Sequence, residues 1–589
     1  VRRQLAVLFT GALGVALAAA GCTSVKQTQG GTGPTAPVQQ GFVSNNPDDS
    51  KGPAAPVPGA TRGGTLNVLE PSDFDFLDPA REYVNIDQIT GTILTRSLTT
   101  YKETPQPDGS VRMLVVGDTA TDAGTDVNHD CKVWKYTLKD GLKYEDGTPV
   151  TAADVAYGIA RSYSTDLVEG AHYIQNWLAG TGSTSADYNK DYKGPYNGGA
   201  DVPPGMTVSG NTMTFTFSQP HCDMPYAAAM PMTAAVPKAK DTRGDYTRHP
   251  LSDGPYMISS HITDTSLTLV RNPYWDPKTD AVHHAYPDQI KMVLDVNQNA
   301  INQRLVADQG DDQTAITWSN VTAEAAAQVT GEVTKRVVDG ATQFADFIAI
   351  NNQRVTDVNV RKALNTGLDK TAALKAIGGD TAGTVLNTLE SPTTPAWQDY
   401  NVFGVGPTGD PAKAKQLLGG KTPELTLCFA SGVARREAQA LAIQASLQQA
   451  GFKIDLKPIG AANYYTLIGS KNIACDLYRA GWGSDWPSGS TIIPPLFDGR
   501  SIQASGNTDY AYYNSDATNA EIDRISGETD STQAAKDWAA LDKKIMETDA
   551  PVIPIVDDRN YTLIGSKVGG AFLSMAFGAT SLNNIYIKS

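Results

Sequence analysis

The stretch Trp134–Arg161, WKYTLKDGLKYEDGTPVTAADVAYGIAR, is the most specific block of the sequence. Its first five residues, Trp134–Leu138, alternate apolar and polar side chains, the period of a half-buried strand. Lys139-Asp140-Gly141 and Asp146-Gly147 then mark two tight turns. Thr151-Ala152-Ala153-Asp154 has the spacing of a capping box: the threonine hydroxyl can accept an orphan N–H while Asp154 favours the positive end of the helix dipole. The helix that follows places Val155 and Ile159 on one face.

Outward from this block the chain remains a mixture of strands and helices. Thr65–Leu69, Asn211–Phe217 and Ser266–Val270 alternate as strands. Val360, Leu364 and Leu368 recur at four-residue spacing after Asp357, which predicts a helix. Asp410-Pro411 reads as N-cap and first helical residue, with Gly419 closing that short helix. Ala438, Leu441, Ala442 and Ala445 predict the buried face of a helix ending at Gly451. Strands at Leu425–Phe429 and Phe452–Leu456 flank it, a βαβ unit that implies a parallel pair. The second half is therefore α/β, and the first half richer in strands and turns. Tyr-Thr-Leu-Ile-Gly-Ser-Lys occurs twice, at Tyr465–Lys471 and Tyr561–Lys567, but the flanks share nothing, so it is coincidence and not a solenoid repeat.

Composition excludes several classes of function. The 589 residues carry a net charge of −15, which argues against a phosphate-backbone binder and hence against nucleic acid. A mean hydropathy of −0.29 argues against a polytopic membrane protein. The chain has no Gly-x4-Gly-Lys-[Ser/Thr] loop, no Gly-x-Ser-x-Gly elbow and no His-Glu-x-x-His. His283-His284 is the one close histidine pair and reads as a solvated loop before Pro287, since adjacent residues seldom supply two ligands to one metal. No metal, cofactor or covalent chemistry is expected.

The N-terminus reads as an export segment. Arg2 and Arg3 precede an apolar run, Leu5 to Ala20, too short to span a bilayer comfortably, and small residues lead into Ala19-Ala20-Gly21-Cys22. The last four resemble a bacterial lipobox, which implies cleavage after residue 21 and a lipid anchor on Cys22; Arg2-Arg3 leaves general and twin-arginine export both open. Residues 22–61, rich in Gly, Pro, Thr, Gln and Ser, bury too little apolar surface to offset ordering entropy and are expected to form a disordered tether. The other cysteines, Cys131, Cys222, Cys428 and Cys475, lack Cys-x-x-Cys spacing, which argues against zinc. In an exported protein they read as two disulfides, with buried free thiols as the alternative.

Together these segments resemble the family 5 extracellular solute-binding proteins of ABC transporters, the oligopeptide- and dipeptide-binding lipoproteins. The similarity runs in order from Gly63-Gly64-Thr65-Leu66 and Leu77-Asp78-Pro79-Ala80 through the Trp134–Arg161 block and Asp253-Gly254-Pro255-Tyr256. It continues with Arg271-Asn272-Pro273-Tyr274-Trp275, Val360-Arg361-Lys362-Ala363-Leu364 with Asp369, Asp410–Ala414, Gly481–Pro487 (GWGSDWP) and Asp549–Pro554. The resemblance implies an α/β, two-lobe periplasmic-binding-protein-like fold of type II with an extra inserted subdomain. Residues 62–80, 202–292 and 551–589 would form lobe I, 81–201 the insert and 293–550 lobe II. It also suggests the pairings Cys131–Cys222 and Cys428–Cys475.

By the same resemblance, peptide-binding members neutralise the ligand ammonium with an aspartate in a Gly-Trp-x-x-Asp stretch. Here that position is Asp485. Trp482 and Trp486 flank it as expected pocket walls. Of Tyr510, Tyr512 and Tyr513, which follow a polar loop, Tyr512 is taken as facing the cleft. Arg354 and Arg361 are possible carboxylate partners, Arg361 being more at the service of its helix. The function implied is that of a monomeric, extracytoplasmic receptor, anchored to the cell membrane by Cys22. It would capture a peptide-like solute and deliver it to the permease and ATPase subunits of an importer. A sugar oligomer, metal chelate or antibiotic-like ligand on the same scaffold, or a secreted hydrolase, are the alternatives.

Overall fold

A computed structural model describes residues 42–107, 109–182 and 185–589. The expected helix after Thr151 forms over Ala152–Arg161, and its capping box is complete: Asp154 N donates to Thr151 Oγ1 at 3.2 Å, and Thr151 N to Asp154 Oδ2 at 3.0 Å. The strand before it, Val133–Thr137, pairs antiparallel with Thr212–Thr216 in a four-stranded sheet completed by Thr125–Asp126 and Met206–Ser209. Helix and sheet enclose one apolar core that includes Trp134, Val155, Ile159, Met213 and Phe215. This is the inserted subdomain. Because Met206–Ser209 and Thr212–Thr216 complete its sheet, it runs past the expected limit at residue 201. Ile89, Ile93 and Leu94 pack into the first lobe's core.

The first lobe is a five-stranded sheet in the order Ala315–Ile316, Thr65–Leu69, Gln289–Val293, Ser266–Arg271, Tyr256–Ile262. Ala315–Ile316 lies parallel to Asn67–Val68, which corrects the expected start of lobe II at residue 293. The second lobe is a six-stranded sheet. Within it Glu424–Ser431 and Lys453–Gly460 pair in parallel across the helix Ala434–Gln449, as the βαβ reading requires. That helix does not bury the expected face. Gln439, Ala440, Ile443 and Leu447 point inward, while Leu441 is 58% exposed. The expectation followed the alanines, but burying Ile443 and Leu447 removes more apolar surface from water.

Two long antiparallel strands, Val337–Ile350 and Val552–Leu563, pass from one lobe to the other. Their pairing is interrupted between Ala341 and Ala345. On one side of the break Leu563 packs with Leu69, Ile301 and Ala315 of the first lobe; on the other, both strands belong to the second lobe's sheet. Val552–Leu563 was expected in lobe I; its Leu563 end packs there, while its other end pairs in the second lobe's sheet. An interruption in an otherwise continuous ladder is where two lobes can rotate with the least loss of hydrogen bonds.

The described part of the expected tether is laid on the body. Phe42–Val43 pairs parallel with Leu114–Val115, Gly117 N donates to the buried Ser50 Oγ at 2.8 Å, and Val57 N donates to Tyr286 Oη at 3.0 Å. Residues 42–61 therefore form a strap across the small sheet of Thr99–Pro105 and Val111–Gly117 and across lobe I. Backbone pairing orders a segment whose composition alone would not. The leader and Cys22 lie outside the described residues. His283 is likewise no solvated loop residue: it is buried, with Nδ1 2.9 Å from Asp280. Arg96 sits between the carboxylates of Asp280, at 3.6 Å, and Asp118, at 2.6 Å. Both disulfides pair as the resemblance suggests, Cys131–Cys222 and Cys428–Cys475. Among the described residues no helix is long and apolar enough to cross a membrane.

Candidate functional site

The strand Leu477–Gly483 lies beside Val337–Ile350, with Trp482 opposite Ala345 and Gly483 opposite Phe344. A Cβ on Gly483 would stand 2.4 Å from the Phe344 ring, so only glycine admits this close approach at the strand's end. The chain then turns through Ser484-Asp485-Trp486-Pro487, and the turn is braced from within. Trp482 Nε1 donates to Thr491 O at 2.7 Å, and Asp485 N to Thr491 Oγ1 at 3.2 Å. Trp482 thus anchors the turn to the second lobe's core.

Bracing aims the Asp485 carboxylate across the cleft. Its Oδ2 accepts hydrogen bonds from Tyr173 Oη of the insert at 2.5 Å and from Tyr83 Oη, which packs against the same core, at 3.1 Å. The second lobe's carboxylate therefore meets the opposite side of the cleft, and the lobes stand closed on each other. Burial pushes the Asp485 carboxyl up to about 6, while the two tyrosine hydroxyls oppose that rise. No lysine, arginine or histidine pairs with it among the described residues. A desolvated carboxylate with phenol donors but no counter-charge is suited to receive a cation.

The other expected residues separate. Trp486 is buried against Tyr173 and Trp177, with ring centroids 4.6 and 6.2 Å away, and it crosses from the second lobe into the insert's aromatic core. On one side it borders a cavity of about 610 Å³ between the insert and the second lobe. On the other it borders the closed cleft, where about 20 Å³ remains among Tyr101, Met113, Gln343, Ser484 and Met575. Tyr512 does not face the cleft. It is buried in the second lobe's core and donates to Ile468 O at 2.7 Å. Its backbone at φ 48° turns the ring inward, which alternation along the sequence does not register. Arg354 pairs with Asp476 at 2.7 Å, and Arg361 donates to the carbonyls of Asp549 and Val355, so both are engaged away from Asp485.

A basic cluster that sequence reasoning missed lies on the same sheet. Arg436 Nη1 and Arg479 Nε each approach the buried Asp346 carboxylate at 2.8 Å. Arg435 stands beside them, exposed and with no ion pair among the described residues. With Phe429, Tyr464 and Tyr465 the three arginines line a cavity of about 230 Å³ at the start of the Ala434–Gln449 helix. Val433 at the N-cap supplies no side-chain acceptor there. The sequence did hold a clue. Two arginines in a helix's first turn oppose the helix dipole, an arrangement that is costly unless an anion is to be met.

With this geometry in place, known proteins show strong likeness. The sequence profile of the bacterial extracellular solute-binding proteins, family 5 Middle, matches residues 115–504. The probable D,D-dipeptide-binding periplasmic protein DdpA of Escherichia coli is 24% identical over 521 residues, covering 85% of this chain and 90% of that protein. The periplasmic oligopeptide-binding protein OppA of Salmonella typhimurium is 24% identical over 491 residues, covering 78% and 82%. Among solved structures, clavulanic acid biosynthesis oligopeptide binding protein 2 superposes with a TM-score of 0.80 at 29% identity, over 90% of this chain and 96% of that one. A type II two-lobe fold, a carboxylate aimed into a closed cleft and a profile match over most of the chain agree: the protein belongs to family 5 of the bacterial extracellular solute-binding proteins.

Proposed function

We propose that this receptor captures a peptide-like solute between its lobes and delivers it to an ABC permease, without covalent chemistry. The observation that carries the reading is Asp485, a desolvated carboxylate with two tyrosine donors and no cationic partner among the described residues. A ligand's free ammonium supplies the missing charge. Arg435, with Arg436 and Arg479, offers the opposite pole for a terminal or side-chain carboxylate. Arg479 and Asp485 are joined by one strand and its exit turn, so at ~3.4 Å per residue they stand at most about 20 Å apart, within reach of a short extended peptide. Relatives named as dipeptide- and oligopeptide-binding proteins support the same class. A lipid on Cys22 would keep the receptor at the outer face of the cell membrane.

Thermal shift titration tests this. A peptide at a hundred times its Kd stabilises the folded form by about 2.7 kcal/mol. Short peptides with free amines are expected to raise Tm and to be recovered intact, while their N-acetylated forms, also recovered intact, leave Tm unchanged. Stabilisation by oligosaccharides and not by peptides, or cleavage of the added peptide, would overturn the reading.

A further inference from the structure

The Asp485 turn is also held from the opposite side of the interface, by Asp223 of the insert. Asp223 Oδ2 accepts from Trp486 Nε1 at 3.1 Å and from Ser490 Oγ at 2.6 Å. Both bonds join the insert to the second lobe, so they exist only while the lobes are closed. Asp223 stands at the N-cap of the short helix Met224–Ala227, where an aspartate side chain ordinarily accepts from the helix's own N–H groups. It makes no such bond here, and its carboxylate is turned to the other lobe.

Both partners are fixed before they meet. Cys222, next to Asp223, is tied to Cys131, and His221 stacks on Trp177 with centroids 4.5 Å apart. On the far side, Ser488 N donates to Trp486 O at 2.6 Å, and Thr491 Oγ1 donates to Ser488 O at 3.0 Å. Groups that are already ordered lose little freedom on contact, so most of the bonding free energy is kept. Hydrogen bonds to an ionised acceptor are also the stronger kind.

We infer that Asp223 is a positioning residue: it fastens the Trp486–Ser490 turn when the lobes meet and sets the closed-to-open ratio of the receptor even without ligand. Ligand leaves through the open form, so this contact lengthens the residence of a solute that Asp223 does not touch. The inference rests on the two-lobe solute-binding reading but not on the ligand's chemistry.

Small-angle X-ray scattering of the ligand-free protein, fitted as open and closed forms, tests it directly. A measurable closed population is expected for the wild type. Asp223→Ala and the double variant Trp486→Phe/Ser490→Ala should each lower the closed-to-open ratio at least tenfold. Asp223→Asn, which keeps an acceptor, should fall between. Combining Asp223→Ala with the double variant should add nothing, because the same bonds are lost. Unchanged melting and an intact Cys131–Cys222 bond would show that folding is preserved. A wild type without closed population, or an Asp223→Ala protein as closed as the wild type, overturns the inference. If Asp223→Ala misfolds, the double variant, altered on the other lobe, decides by the same criterion. No ligand is present in the measurement, so its failure leaves the amine-binding role of Asp485 standing, and failure of that role leaves the scattering result standing.

Discussion

Replacing Asp485 with asparagine isolates the charge at the centre of the site. Asparagine keeps an oxygen to accept from Tyr173 and Tyr83, so the turn should survive. What is lost is the counter-charge to a buried ammonium, a loss of about 2–4 kcal/mol between the value of a charge-assisted bond and that of a broken buried pair. Affinity for a free-amine peptide such as tetra-alanine should fall by about 30- to 1000-fold in titration calorimetry at pH 7.5. Wild-type affinity should also fall below pH 6, by about tenfold at pH 5, because Asp485 titrates near 6 without ligand and must be ionised to bind. The variant should show no such dependence. Stability moves oppositely. With its carboxyl raised above the ordinary 3.8, folded Asp485 holds a proton that the unfolded chain has lost between about pH 4 and 6, so stability declines across that window and stays lower above it. Ligand-free Asp485→Asn should thus be more stable than wild type at pH 8, by about 1–3 kcal/mol. A variant that binds within threefold of wild type, or a wild type whose affinity ignores pH, would rule out Asp485 as the ammonium's counter-charge.

Other perturbations address other parts of the molecule. Arg435→Ala should leave denaturant stability nearly unchanged yet weaken ligands bearing a free carboxylate at least tenfold. Asp346→Ala, which leaves two partly exposed guanidiniums without their shared carboxylate, should cost about 1–3 kcal/mol in urea unfolding. Opening the Cys428–Cys475 bond, which links residues 47 apart, should cost up to about 4 kcal/mol, seen as a lower denaturation midpoint under reducing conditions. Glu390, raised to about 8 by burial and the nearby Asp542, keeps its proton in the folded state well above the unfolded value of 4.5. Stability tied to it falls as pH rises from about 4.5 to 8, and Glu390→Gln should flatten the decline of Tm between pH 6 and 8.

Features coded locally were the legible ones. The capping box at Thr151, the turn glycines around Asp140 and Asp146, and the βαβ unit each depend on residues a few positions apart, and each formed as expected. Features decided by distant partners were not. The repeated Tyr-Thr-Leu-Ile-Gly-Ser-Lys makes this plain: its first copy enters the helix Tyr464–Ile468 and its second the strand Val552–Leu563. The same side chains yielded to different surroundings. The order of the strap at residues 42–61 comes from the strand Val111–Gly117 and from Tyr286, far along the chain, and so is not coded locally. Asp485 was found through its motif, yet its donors Tyr83 and Tyr173 lie hundreds of residues away, and nothing local marks them. Tyr512 failed for the opposite reason, a local cluster of tyrosines whose direction only the fold decides.

A crystal structure of the protein with tetra-alanine would show whether a ligand ammonium sits on Asp485. The ligand's terminal nitrogen is predicted about 2.7–2.9 Å from an Asp485 oxygen, with the lobes closed around an intact peptide. A ligand amine placed elsewhere, with Asp485 still bonded only to Tyr83 and Tyr173, would contradict the account.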